Sequence, residues 1–352
     1  VEATLENIRN SFWIPSTRNV VRKILRTCIT NRKVSTKSTQ QLMVDLPAEE
    51  FSVRIIIEMD SGLSEIEVLS HYIEDPKTGI TYKNCKFLGE GSFGKCYQVE
   101  TIRTKRKYAL KIISKQSMSK SIQSEMRIHS KLSHPFIVTF YRYFTDNLNW
   151  YLILEQCREE TLAHMLTQRK VLTAPEVRYF MKQLAQACKY LHDKHIIHGD
   201  LKLQNIFLND RMEIKVGDFG LSLKVKDGNK LHGVRGSYCY MAPEIFFRIG
   251  YDYKVDIWAI GIIMYVLMVG SLPFKGKKAT IKEKVMAGVY HIPSRVTGSA
   301  RNLITRLLDP NPAIRPKSHE ILQDCFMTLP TPPRLPTSCL KRRPKFPYDF
   351  YL

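Results

Sequence analysis

The chain has 352 residues, 44% of them hydrophobic, enough to bury a two-lobed core and still carry extensions. A net charge of +21 favours acidic peptides, nucleic acid or anionic membrane as partners, although solvated Lys and Arg faces account for such a balance equally well. Eight cysteines (Cys28, Cys85, Cys96, Cys157, Cys188, Cys239, Cys325 and Cys339) show no framework spacing, which argues against a small disulfide scaffold and for reduced thiols. No signal peptide is visible, and the longest apolar run, Ile257 to Val269, is too short to span a bilayer.

Residues 1–53 have helical apolar spacing, with Leu5, Ile8, Phe12 and Trp13 followed by Val20, Val21, Ile24, Leu25 and Cys28. This stretch, continuing to Leu46-Pro47, resembles the zinc-binding segment of BEL/Pao-type retrotransposon integrases. Such modules hold zinc through two His and a Cys-x-x-Cys. Here Asn31 stands three residues after Cys28 and the His pair is absent. One thiolate cannot build a tetrahedral site, so no zinc is expected. The segment reads as a degenerate helical extension, with nucleic-acid binding disfavoured. Residues 54–81 read as a lead-in linker containing the turn signal Asp75-Pro-Lys-Thr-Gly79.

From 82 onward the chain carries a series of phosphate-handling motifs. Gly89-Glu90-Gly91-Ser92-Phe93-Gly94 lies between apolar Phe87-Leu88 and a strand-like run that includes Cys96. Glycines let backbone N–H groups approach phosphates, but the pattern also fits an ordinary turn or a dinucleotide loop. Ala109 and Lys111 follow on a second strand; a lone strand Lys is usually a solvated edge residue, and its place after the glycine loop favours phosphate contact. Glu125, on a helix predicted over 117–132, is the best partner for Lys111.

The most informative stretch is His198-Gly199-Asp200-Leu201-Lys202-Leu203-Gln204-Asn205, followed by Asp218-Phe219-Gly220. Phosphoryl transfer asks a protein to position two reactants and neutralise developing charge. Asp200 is placed to accept the proton of an attacking hydroxyl and Lys202 to face the transferred group. Asn205 and Asp218 are hard oxygen ligands suited to magnesium. These motifs together, in this order, are similar to those of protein kinases. That resemblance implies ATP and Mg2+ as cofactors and an α+β bilobal fold. The small antiparallel-sheet lobe spans 82–155, the mainly helical lobe 158–328, and a Pro-rich basic tail 329–352. It also implies a buried structural pair between Glu244, in Ala242-Pro243-Glu244, and Arg315.

Further details resemble the polo-like kinases: Cys96 after the glycine loop, the hinge Trp150-Tyr-Leu-Ile-Leu154-Glu155-Gln-Cys157, and the runs Leu172 to Phe180 and Arg334 to Cys339. By that resemblance Leu154 is the gatekeeper, and Glu155 and Cys157 offer backbone hydrogen bonds to adenine. Three departures stand out. Gly199 replaces the Arg that clamps a phosphorylated loop residue. Gly233 aligns with the family's phosphorylated Thr, and no Ser, Thr or Tyr lies between Ser222 and Ser237. The chain ends at Leu352, leaving no room for C-terminal polo boxes. Ser237 keeps a hydroxyl where Ser/Thr kinases contact the catalytic Asp and Lys, while Tyr238 and Cys239 alter the peptide floor beside it.

The expectation is a monomeric Ser/Thr protein kinase of the cytoplasm and nucleus. It acts on protein substrates with acidic residues near the target and is independent of the usual loop phosphorylation. The competing reading is a pseudokinase scaffold that binds ATP with little turnover.

Overall fold

In a computed structural model of the chain, the described residues are 53–59, 62–68, 72–91, 94–117, 120–157, 160–225, 229–296 and 298–347. The helical extension and zinc readings for residues 1–52 therefore lie outside the described residues. The chain divides into two units, Val1–Leu69 and Ser70–Leu352. In the first, the β-branched run Ile55-Ile56-Ile57 lies in strand β1 (Val53–Met59), which pairs antiparallel with β2 (Gly62–Val68).

The second unit opens with a six-stranded antiparallel sheet in the order β3-β4-β5-β6-β8-β7. Its strands are β3 (Tyr72–Asp75), β4 (Ile80–Gly91), β5 (Gly94–Thr101), β6 (Lys107–Ser114), β7 (Phe140–Thr145) and β8 (Asn149–Leu154). The lead-in reading of 54–81 is corrected here, because much of that stretch is strand and the sheet starts ten residues earlier, at Tyr72. The predicted turn is real, but it joins β3 to β4. Asp75 accepts from Lys77 N at 3.0 Å and from Thr78 Oγ1 at 2.7 Å, satisfying the turn that brings the two strands together.

Helix α1 (Lys120–His129) is shorter than the periodicity predicts. It stops where the His129 ring bonds Val138 O at 2.7 Å and the chain turns through Ser130 to Leu132. The larger lobe is mainly helical: α2 (Leu162–Arg169), α3 (Ala174–Asp193), α4 (Pro243–Phe247), α5 (Lys254–Val269), α6 (Lys278–Ala287), α7 (Gly298–Leu307), α8 (Ser318–Leu322) and α9 (Cys325–Thr328). Short strands β9 (Ile196–Ile197), β10 (Ile206–Leu208), β11 (Ile214–Val216) and β12 (Leu223–Lys224) carry the loops between α3 and α4. Apolar on every side, α5 is buried from Val255 to Leu267 and forms the centre of the lobe against α3 and α7. Among the described residues, no helix is long and apolar enough to cross a membrane.

Backbone bonds stitch the two lobes together, from Val138 N to Val216 O and from Val216 N to Phe136 O, both 2.9 Å. The Pro-rich tail is irregular, as its composition predicts, yet it is docked. Leu335 and Cys339 are buried, Arg178 donates to Pro330 O at 3.1 Å and Lys182 to Thr331 Oγ1 at 2.7 Å.

Candidate active site

Strand register assembles the upper half of the site. Cys96 faces Lys111 across β5 and β6, Gly89 faces Cys96, and Ala109 faces Leu154 across β6 and β8. Directly opposed residues share one face of a sheet, so Cys96 and Lys111 project to the same side. Glu90 opposes Lys95 one step along, on the other face, and its side chain is exposed. It therefore contributes backbone only. Gly91 pairs with Gly94, closing the hairpin whose tip, Ser92 and Phe93, lies outside the described residues. A Cβ on Gly94 would sit 2.1 Å from Ile112 O, so the last glycine of the motif is demanded by the neighbouring strand.

Lys111 Nζ lies 2.8 Å from Glu125 Oε1 and 3.6 Å from Asp218 Oδ1. Burial works against the Lys111 ammonium, but the carboxylates of Glu125 and Asp218 outweigh it and hold the group above its ordinary value. Thus α1, β6 and the segment after β11 are tied through one cation. His129, at the end of α1, packs on Phe219 at 4.5 Å, and Phe219 packs on His198 at 4.9 Å. Burial lowers His129 to about 4, so its ring stays neutral and Nε2 donates to Val138 O.

The lower half is a hydrogen-bonded cluster around Asp200. Lys202 Nζ donates to Asp200 Oδ2 at 2.7 Å and to Ser237 Oγ at 2.9 Å. Ser237 N donates to Asp200 Oδ1 at 2.8 Å, and Asn205 Nδ2 donates to Asp200 O at 2.9 Å and Oδ2 at 3.2 Å. These bonds commit the Asn205 amide N–H and leave its Oδ1 available as an oxygen ligand. Asp218 adopts φ 61, a left-handed conformation uncommon for a residue with a Cβ, and its buried Oδ1 has no hydrogen-bond partner. A carboxylate oxygen with no hydrogen-bond donor, beside the Lys111 ammonium and next to the Gly217–Asn205 backbone bond, fits a hard divalent cation such as Mg2+.

At the hinge, Glu155 N donates to Thr139 O at 2.8 Å, leaving its carbonyl as the group that can face a ligand. The Glu155 carboxylate turns away, accepting from Thr139 Oγ1 at 2.9 Å and Lys215 Nζ at 3.0 Å. Cys157 takes part in no backbone hydrogen bond among the described residues. Burial pushes its thiol up to about 12, so it remains protonated, and burial also raises Cys96.

Sequence reasoning missed what holds the catalytic loop. Asp256 at the start of α5 accepts from His198 N at 2.9 Å, Gly199 N at 3.0 Å and His192 Nε2 at 3.1 Å. Burial would raise this carboxyl, but the His192 and Gly199 hydrogen bonds, with nearby His198, hold it below its usual value. An acidic residue buried in the first turn of a helix that is apolar after it was the available signal, because a buried charge needs partners. Gly199 adopts φ 76, which glycine enters without strain.

The pair expected between Glu244 and Arg315 forms in bidentate geometry, at 2.7 and 2.8 Å, with Arg315 over the Trp258 ring at 4.9 Å. No catalytic-loop residue touches it among the hydrogen bonds of Arg315.

Residues 82–327 match the protein kinase domain family. The chain is 39% identical over 293 residues to the serine/threonine-protein kinase PLK1 of Xenopus laevis, covering 80% of this chain and 49% of that protein. With the serine/threonine-protein kinase polo of Drosophila melanogaster it shares 40% over 275 residues, covering 75% and 47%. It is also 37% identical over 290 residues to the inactive serine/threonine-protein kinase PLK5 of Mus musculus, covering 80% and 49%. The chain spans about half the length of these relatives. Matched over most of its length, the chain belongs to the protein kinase family.

Proposed function

We propose that the chain is a polo-like Ser/Thr protein kinase that transfers the γ-phosphoryl group of ATP to protein hydroxyls. The observation that carries this reading is the hydrogen-bonded Asp200–Lys202–Ser237–Asn205 cluster, joined through the Gly217 N to Asn205 O bond to the segment that carries Asp218. Asp200 Oδ1 accepts one protein hydrogen bond, from Ser237 N, and a carboxylate oxygen has capacity for a second. The acceptor hydroxyl donates its proton there as its oxygen bonds to phosphorus and the bond to the departing diphosphate breaks. Lys202, fixed between Asp200 and Ser237, supplies positive charge toward the transferred group. Lys111, held by Glu125, serves the α and β phosphates, and the Glu155 carbonyl with the Cys157 backbone serves adenine. Asn205 and Asp218 would hold Mg2+, which when bound neutralises charge on the phosphate oxygens.

The reading includes independence from loop phosphorylation. Residues 229–236 contain no hydroxyl side chain. Instead Leu231 bridges Tyr251 through the backbone and packs its side chain on the core. Protein substrates with acidic residues near the target, a monomeric state and residence in cytoplasm and nucleus complete the proposal.

A second reading, an ATP-binding scaffold with little turnover, is motivated by the similarity to the inactive PLK5 relative. Incubating the full chain with ATP, magnesium and an acidic Ser/Thr protein, beside Asp200→Asn, separates the two. Transfer that vanishes in the variant is expected. Magnesium-dependent ATP binding without transfer in the unaltered chain would establish the scaffold.

A further inference from the structure

Just past Ser237, the floor beside the acceptor site is rebuilt by an aromatic residue and a lysine. The Tyr238 hydroxyl donates to Lys278 O at 2.6 Å, anchoring the ring to the start of α6. Its edge meets the Phe246 ring at 5.2 Å, and the Lys278 ammonium stands 5.9 Å from its centroid. Ser237, one residue earlier, bonds both Lys202 and Asp200. The sequence Tyr238-Cys239 therefore begins one step from the proton-accepting carboxylate.

Two consequences follow from this packing. The Tyr238 ring packs against Phe246, so the apolar surface of Phe246 is taken up on that side. What the floor presents in its place is a cation, and Lys278 is exposed, with Lys275 and Lys277 exposed beside it. Among the described residues, the first turn of α6 holds no acidic side chain to neutralise them. Lys202 is committed to Asp200 and Ser237, and Arg235 lines the pocket of Gly199 and Asp200, so Lys278 is the exposed cation that stands by the Tyr238 ring.

We infer that Tyr238 and Lys278 form a specificity subsite that selects an acidic residue directly adjacent to the target hydroxyl, on the side facing α6. This rests on the kinase reading and deepens it, assigning a position and two residues to the acidic preference. The carboxylate meets the Lys278 ammonium over the tyrosine ring, where a leucine would meet charge.

The test uses the full chain and Ser peptides in which each neighbour of the Ser is varied, one at a time, among Asp, Leu and Lys. Both kcat/KM and the binding of matched Ser→Ala peptides, by fluorescence anisotropy, are read. At one of the two positions Asp is expected to exceed Leu by about fivefold, the scale of a partly exposed charge pair. Lys278→Glu should abolish that preference while KM for ATP holds, and Tyr238→Ala should move it toward Leu. Equal use of Asp and Leu, or a preference for Leu in the unaltered chain, overturns the inference. If no peptide is phosphorylated but the binding preference follows Lys278, the kinase reading fails and the subsite stands. Binding without preference overturns the subsite whatever the turnover.

Discussion

Leu231 and Tyr251 exchange both backbone hydrogen bonds, at 2.8 and 2.9 Å, in an antiparallel bridge between the activation segment and the stretch before α5. Gly250 beside it, at φ 84, lies so close that a Cβ would meet Lys230 Cβ and His232 Cε1 at 3.0 Å. On the proposed reading, this bridge takes the place of a phosphate clamp. Gly250→Val should therefore release the segment and cut phosphate transfer several-fold, with ATP affinity unchanged by calorimetry. Phosphatase treatment of the unaltered chain should leave transfer where it was.

Restoring an arginine at Gly199 should not install phosphate control, because Gly233 offers nothing to clamp. The backbone at φ 76 also resists any Cβ, which would stand 3.0 Å from Leu221 O. A left-handed residue with a side chain costs about 1–2 kcal/mol. Both Gly199→Ala and Gly199→Arg should lower the unfolding free energy measured in urea by that much, the alanine variant isolating the backbone share.

Arg315 is fully buried, and besides Glu244 it donates to Asp309 O, Lys254 O and Pro310 O. Removing it strands a buried carboxylate. Arg315→Met should cost about 3–5 kcal/mol in chemical denaturation. Reversing the pair through Glu244→Arg with Arg315→Glu should not restore stability, since the carbonyl acceptors remain on the arginine side.

Acid should destabilise the fold through His129. Its folded value is lowered from 6.5 to about 4, so the unfolded chain binds the proton first. Its contribution is fully present above about pH 6.5 and is lost as pH falls toward 4, by about 3 kcal/mol in all. Replacing His129 with Gln should flatten the decline of stability between pH 6.5 and 4, measured by urea unfolding at stepped pH.

Much of the site was legible because its chemistry needs residue types at fixed spacing. Asp200, Lys202, Asn205 and Asp218 come from one stretch; the structure hydrogen-bonds Asp200 to Lys202 and Asn205 and sets Asp218 beside the Lys111–Glu125 pair. Harder to read were partners distant in sequence. Nothing local ties Asp256 to Gly199 across 57 residues, nor Tyr238 to Lys278 across 40. The strand at Tyr72–Asp75 hid for another reason: Tyr-Ile-Glu-Asp is short and ends in a turn residue, and pairing with β4 decides its conformation. Prolines made the tail look unstructured, yet proline forbids only regular hydrogen bonding, and Leu335 and Cys339 still find burial.

Arg169 grips that tail from below, pairing with Glu176 at 2.8 Å and donating to Cys339 O and Arg342 O. Glu176 is itself wholly buried and caps α3 through Thr173 N at 2.8 Å. The last residues of the domain are thus wired to the start of its longest helix. Anyone excising the unit at residue 327, where the family match stops, would remove the Cys339 and Arg342 carbonyls from Arg169 and loosen a helix cap. A fragment ending there should be less stable to urea than one carried on past Arg342.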